Sequence, residues 1–208
     1  MVRANEKLCV LSAEAPLNQP LMNDGSAYFQ LQDEIRNAFE ATVLDLPRAM
    51  LVQHPHLMQE THAAVVVVEF TLAATRDAIR ILSWLKQNAP QAKVVVVANK
   101  VASGVQEISR KDFEVSIERK VDIVIPFDPK SAAQAAKLGQ PFAKVATGAK
   151  VSGPLNELVA ATVATVESGE HGIAVPAKAK AAGGGSLLEK LNLKGMLAKK
   201  PKPAEQSA

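Results

Sequence analysis

Three short segments carry side chains suited to handling a charged ligand. Asp45-Leu46-Pro47-Arg48 closes one apolar stretch with a carboxylate. Such a group can hold a Mg²⁺ shell or orient a water, and Pro47 stiffens the turn that follows. Asn99 closes a second stretch, and its amide offers one acceptor and two donors, a set that suits a nucleobase edge. Ile125-Pro126-Phe127-Asp128-Pro129 closes a third, where backbone groups could frame a base. Taken singly, each has a commoner role, because Asp, Asn and Pro are ordinary turn formers. They gain weight together, since ligands of open α/β sheets sit beyond the carboxyl ends of the strands.

The elements that must position them are legible as five apolar, β-rich stretches: Lys7–Ser12, Ala41–Leu46, Ala63–Phe70, Lys93–Asn99 and Asp122–Phe127. Continuous Val/Ile runs such as VVVV at 65–68 and 94–97 predict strands covered on both faces, as in parallel sheets. Helical spacing lies between them. Ser26–Phe39 starts with Ser26 as N-cap and sets Leu31, Ile35 and Ala38 on one side. Thr71–Asn88 aligns Ala74, Ala78, Ile81, Leu82 and Leu85. Ser109–Lys120 carries Phe113 and Ile117, Ser131–Leu138 stops at Gly139, and Pro154–Val166 follows. Strands alternating with helices require crossover connections, so the predicted class is α/β, a mostly parallel sheet with flanking helices. No internal repeat is present.

The 208 residues are 48% hydrophobic, 22% charged and 4% aromatic, which suits one domain of ordinary size with a tail. The net charge of +3 hides an asymmetry: from Ile173 onward seven lysines face two glutamates, so the tail is +5 and the body −2. A body of that charge argues against a nucleic-acid partner. The single cysteine, Cys9, excludes an intramolecular disulfide and a Cys-rich zinc site. With no apolar run of membrane-spanning length and no secretory signal pattern, the sequence predicts a cytoplasmic protein.

Several segments together resemble a known family. DLPR after a strand, then AAVVVVEFTLAATRDAIRILSWL, VVVVANKV and EISRKDFEVSIERKVDIVIPFDPKSAAQAAKLGQPF resemble the MinD/ParA-type ATPases, and more narrowly the CpaE/TadZ pilus-assembly branch. The resemblance spans about residues 6–165, with TLAATRDA and IPFD…A…LGQPF its most specific parts. It implies a P-loop NTPase-like fold over 1–168. It also implies ATP and Mg²⁺ as cofactors, ATP-controlled dimers, and a role in placing the Flp/Tad pilus machinery. By that resemblance Asp45 is the Walker-B-like aspartate supporting Mg²⁺ and the attacking water. Asn99 is an adenine-contacting asparagine, and Pro126, with Asp128 after it, belongs to the loop that packs on the base. The implied partners are pilus-assembly proteins and further copies of the chain.

One element of that pattern is missing from these residues. Such ATPases hold the phosphates with a glycine-rich loop ending in Gly-Lys-Thr or Gly-Lys-Ser. None of the 11 glycines here is followed by Lys-Thr or Lys-Ser, and Gly183–Gly185 does not follow a strand. The expectation is a fold incomplete at its N-terminus, which neither binds ATP tightly nor hydrolyses it alone. A sheet lacking one strand should leave a neighbour uncovered and open to edge pairing.

The remaining features have plainer readings. His54, His56 and His62 lack the convergent ligands of a metal site and are expected in a solvated loop. Cys9 is expected to be a small buried hydrophobe. Arg76, Asp77 and Arg80 share a helix side and form an exposed ion cluster or a partner-binding patch. Residues 169–185 read as a flexible linker. Residues 186–208 form a basic tail with a short helical segment, which reads as a solvated arm, a docking segment for a partner, or a contact to an anionic surface such as the inner membrane. Its leucines do not gather on one face, because Leu187, Leu188 and Leu191 lie opposite Leu193, Met196 and Leu197.

Overall fold

The computed structural model describes residues 1–12, 18, 25–104 and 106–167; the linker and tail of the sequence reading lie outside them. The chain opens with an antiparallel hairpin, β1 (Val2–Asn5) and β2 (Leu8–Val10), separate from the main sheet. The expected sheet strand over 7–12 is therefore a hairpin arm. The short reversal at Asn5–Lys7, where the Lys7 amide donates to Asn5 Oδ1 at 2.8 Å, makes pairing with β1 cheap in loop entropy. Cys9 on β2 is only half-buried, because both faces of so small a ribbon meet solvent.

Helix α1 (Gly25–Ala38) turns Tyr28, Gln32 and Ile35 inward, followed by Phe39, and leaves Leu31 exposed. Polar anchoring sets this rotation. Gln32 Nε2 donates to the Leu57 carbonyl at 3.0 Å, and the Tyr28 ring meets that of His54 edge-on. The segment 41–46 is not a strand, and Val43 is 96% exposed. β-Propensity measures fit to a neighbouring strand, and among the described residues this segment has none. Only its last residue, Leu46, packs against the core, just before α2 (Arg48–Gln53) and the 3₁₀ turn Pro55–Met58.

The main sheet consists of β3 (Ala63–Val68), β4 (Lys93–Val101) and β5 (Ile123–Pro126), parallel and in that order. Helix α3 (Leu72–Asn88) connects the first pair and α4 (Arg110–Ser116) the second. Both lie against one face, where Ala78 and Leu85 of α3 and Phe113 of α4 join Ala64, Val66, Val68, Val96 and Ala98. After β5, α5 (Pro129–Leu138), α6 (Phe142–Val145) and α7 (Ser152–Glu167) follow. Phe142, Leu155 and Leu158 cover the other face over Val95, Val97, Ile123 and Ile125. This explains the Val runs: successive β4 residues feed opposite cores, so all four of Val95–Ala98 are buried. Thr71, Ser109 and Asp128 cap α3, α4 and α5 through side-chain oxygens. Gly139 ends α5 at φ 59, the left-handed conformation a glycine adopts without penalty. No described helix is long and apolar enough to cross a membrane.

Candidate functional site

The carboxyl ends of β3, β4 and β5 form one edge of the sheet. At the end of β4 the ladder to β5 slips between Ala98 and Val101, and Lys100 takes φ 55. A non-glycine residue there is strained by on the order of 1 kcal/mol. Two bonds hold the bulge. The Lys100 amide donates to Asn99 Oδ1 at 2.9 Å, and Lys100 Nζ pairs with Glu69 beyond β3 at 2.8 Å. Bulges re-aim side chains next to functional sites. Here the half-buried Asn99 spends its acceptor locally, and among the described residues no acceptor faces Nδ2.

Pro126 stands beside this bulge, in register with Val101, and the Phe127 amide donates to the Val101 carbonyl at 3.0 Å. The Phe127 ring is 52% exposed. Asn99 and Pro126 are thus brought to neighbouring strand ends, with an apolar ring beside them. Asp128 has a different employment. Its carboxylate accepts from the Ser131 amide at 3.0 Å and Ser131 Oγ at 2.7 Å, capping α5. Those bonds, the backbone one first, hold its carboxyl below the ordinary range. Asp128→Ala lowers the thermal midpoint, whereas Asp128→Asn, which keeps an acceptor for Ser131, retains most of it; differential scanning fluorimetry reads both.

Asp45 is not gathered to this edge by a strand. It is exposed in the unpaired segment, one residue before the core-contacting Leu46. Arg48 after it pairs with Asp77 on α3, which ties the Asp-Leu-Pro-Arg turn to that helix. Among the described residues no three His, Cys, Asp or Glu side chains group as a metal site. Asp45 would therefore be a single Mg²⁺ ligand, and no described glycine precedes a Lys-Thr or Lys-Ser that could cradle a triphosphate. Asn99 and Pro126 share one strand-end surface, and among the described residues no glycine-rich loop fit to hold a phosphate stands beside them. His54 and His56 are half-buried rather than solvated, stacked edge-on with ring centroids 5.6 Å apart and Tyr28 beyond His54.

Sequence reasoning missed the Glu69–Lys100 pair and Glu107, whose carboxylate accepts from the Leu72 amide at 3.3 Å at the start of α3. Both join segments some thirty residues apart, and no local spacing signals such contacts.

The fold is that of the ParA/MinD ATPases. A ParA family ATPase from Chlorobium tepidum TLS superposes with TM-score 0.60 at 16% identity, over 76% of this chain and 61% of that one. The MinD cell division protein of Aquifex aeolicus gives TM-score 0.50 at 16% identity, over 76% of this chain and 65% of that one. The chain therefore spans less than two thirds of the length of these structures. No protein-family model and no curated protein matches the sequence.

Proposed function

We propose that this chain is an assembly or localisation module of the Flp/Tad-type pilus machinery, similar to CpaE/TadZ proteins, that acts through protein contacts without hydrolysing ATP alone. The observation that carries the reading is the sequence resemblance, and none of the glycines among the 208 residues precedes Lys-Thr or Lys-Ser. The pilus assignment draws on the sequence resemblance, chiefly TLAATRDA and IPFD…A…LGQPF. In the proposal the chain works in the cytoplasm, with the lysine-rich residues 186–208 as a contact to partners or to the inner-membrane surface. Domain limits of 1–168, 169–185 and 186–208 belong to the same proposal.

A second reading is favoured by Asn99 and the exposed Phe127 lying at the carboxyl ends of the adjacent strands β4 and β5. The chain would then be an ATP-binding subunit whose phosphate loop comes from elsewhere, with Asn99, Pro126 and Asp128 at the base and Asp45 at Mg²⁺. A Mg²⁺-dependent titration of the full chain with fluorescent ATP separates the two. The first reading expects no saturable binding and no turnover above buffer. Saturable binding that weakens in Asn99→Ala supports the second reading, and hydrolysis abolished by Asp45→Ala overturns the first.

A further inference from the structure

The bulge at the end of β4 puts its strain on an unexpected residue. Glycine takes a positive φ without penalty, and asparagine tolerates it better than most. Here the positive φ of 55° falls on Lys100, and the asparagine stands one position earlier. The strained residue supplies the fastening, because its Nζ reaches Glu69 beyond β3 at 2.8 Å. On the other side the Phe127 amide, beyond β5, donates to the Val101 carbonyl at 3.0 Å. The turn is therefore tied to the chain leaving both neighbouring strands, and the Lys100 amide is fixed between the two ties. Strain that the surroundings hold in place clusters at ligand sites.

That amide decides what Asn99 offers. A backbone N–H only donates, so the atom facing it at 2.9 Å is the side-chain oxygen. The side-chain amide is planar, which sets Nδ2 at its other corner, turned away from Lys100. Asn99 is half-buried, and among the described residues Nδ2 makes no hydrogen bond. An asparagine free to turn its amide over presents either its oxygen or its nitrogen to a ligand. Turning here sets Nδ2 against the Lys100 amide, donor against donor, and gives up the bond that Oδ1 makes. The bulge thus sorts the side chain: its acceptor is spent within the turn and its two donors remain.

We infer that this carboxyl edge reads a base by its acceptors and takes a 6-oxopurine nucleotide ahead of a 6-aminopurine one. The inference rests on the second reading above, that a base lies at Asn99, and says which base. Hypoxanthine and guanine present O6 and N7 side by side, both acceptors, whereas adenine presents a 6-amino donor beside N7. The two N–H groups of Nδ2 serve both acceptors of the first edge. Against adenine they serve N7 alone, and the 6-amino group faces a donor where a freely turning asparagine supplies its oxygen. A hydrogen bond lost in this way weakens binding roughly two- to tenfold. Pro126 and Phe127, at the end of the adjacent strand, offer apolar contact to either ring and do not discriminate. The sequence resemblance assigns Asn99 to adenine; the bond that occupies its oxygen favours the other purine class.

Competition on the full chain tests this, with ATP and inosine triphosphate each displacing a fluorescent ATP analogue in the presence of Mg²⁺. The two competitors differ only in the exchange of the 6-amino group for a 6-oxo group and in the N1 proton that accompanies it. Inosine triphosphate is expected to displace the analogue at about fivefold lower concentration than ATP. Asn99→Asp, nearly isosteric, puts an acceptor at both corners and reverses the order while the far-ultraviolet spectrum is retained. Asn99→Ala removes the preference. Equal displacement by the two nucleotides, or a preference of the wild-type chain for ATP, overturns the inference and leaves the second reading standing. A preference that persists in both Asn99 variants overturns it as well, since another group then discriminates. If the folded chain binds no nucleotide, the second reading falls and the inference falls with it.

Discussion

Phe113→Ala lowers the stability of the chain by about 3–5 kcal/mol, and its thermal midpoint by on the order of 10 °C. Phe113 has no exposed surface and sits where α4 meets the sheet, in the core that also holds Val66, Val96 and Ala98. Its ring packs edge-on against Phe70, with centroids 5.3 Å apart and planes at 65°. Such a pair adds roughly 0.5–1.5 kcal/mol beyond burial alone. Truncation removes the ring and leaves a cavity that Ile117 and Val121, fixed by their own packing, fill only in part. Val115→Ala on the same helix is the control: Val115 is 68% exposed, and its loss stays within about 0.5 kcal/mol. Calorimetric unfolding of the two variants checks the contrast, and equal midpoints would remove Phe113 from the core.

Most of the sheet was legible because its signal is composition over a short window. Ala63–Val68, Lys93–Val101 and Ile123–Pro126 are dense in β-branched residues, and both cores close over them. The helix α3 stripe was equally plain, since Ala78, Ile81, Leu82 and Leu85 recur at helical spacing and do turn inward. The segment 41–46 has the same composition and is no strand. What separates it from β3 is a neighbour, and a neighbour lies outside any local window. The hairpin β1–β2 failed for the opposite reason: a nearby reversal offered pairing that needed no sheet. On β3 the run Val65–Val68 suggested burial on both faces. The second face is only partly covered, because α7 and Phe142 pack mainly over β4 and β5 and leave Val65 and Val67 exposed.

The candidate site was legible to the level of strand ends and no further. Asn99 and Pro126 lie where the ends of Val-rich runs put them, on adjacent strands. Their local geometry depends on the bulge at Lys100, a positive φ that no residue type announced, since glycine would have been the usual signal. Asp128 shows how a local rule can outweigh a site reading. Asp-Pro-Lys-Ser is a helix-start pattern, with Pro129 at the first helical position and Ser131 at the third. The carboxylate and hydroxyl satisfy each other there, as the spacing alone would have shown.

Glu114→Gln removes most of the change in stability that one side chain contributes between pH 4.5 and pH 2. Glu114 is 8% exposed on α4, yet it is ionised, because three donors surround it. Arg110 Nε donates at 2.8 Å, Lys120 Nζ at 2.9 Å and the Val121 amide at 3.0 Å. Arg110 also donates to the Val121 carbonyl at 2.9 Å, so the cluster clamps α4 to the chain entering β5. The bond from Arg110, then those from Lys120 and Val121, lower the carboxyl from its ordinary 4.5 to about 2. A carboxyl that is more acidic folded than unfolded stabilises the fold above its unfolded value. That contribution is lost as pH falls from about 4.5 through about 2. The wild-type protein therefore loses urea resistance across this window more steeply than Glu114→Gln. The variant is weaker at neutral pH, and the two curves converge near pH 2. Asp128, also lowered, is common to both proteins and cancels in their difference. Parallel curves down to pH 2 would mean that the clamp exerts no such pull on the carboxyl.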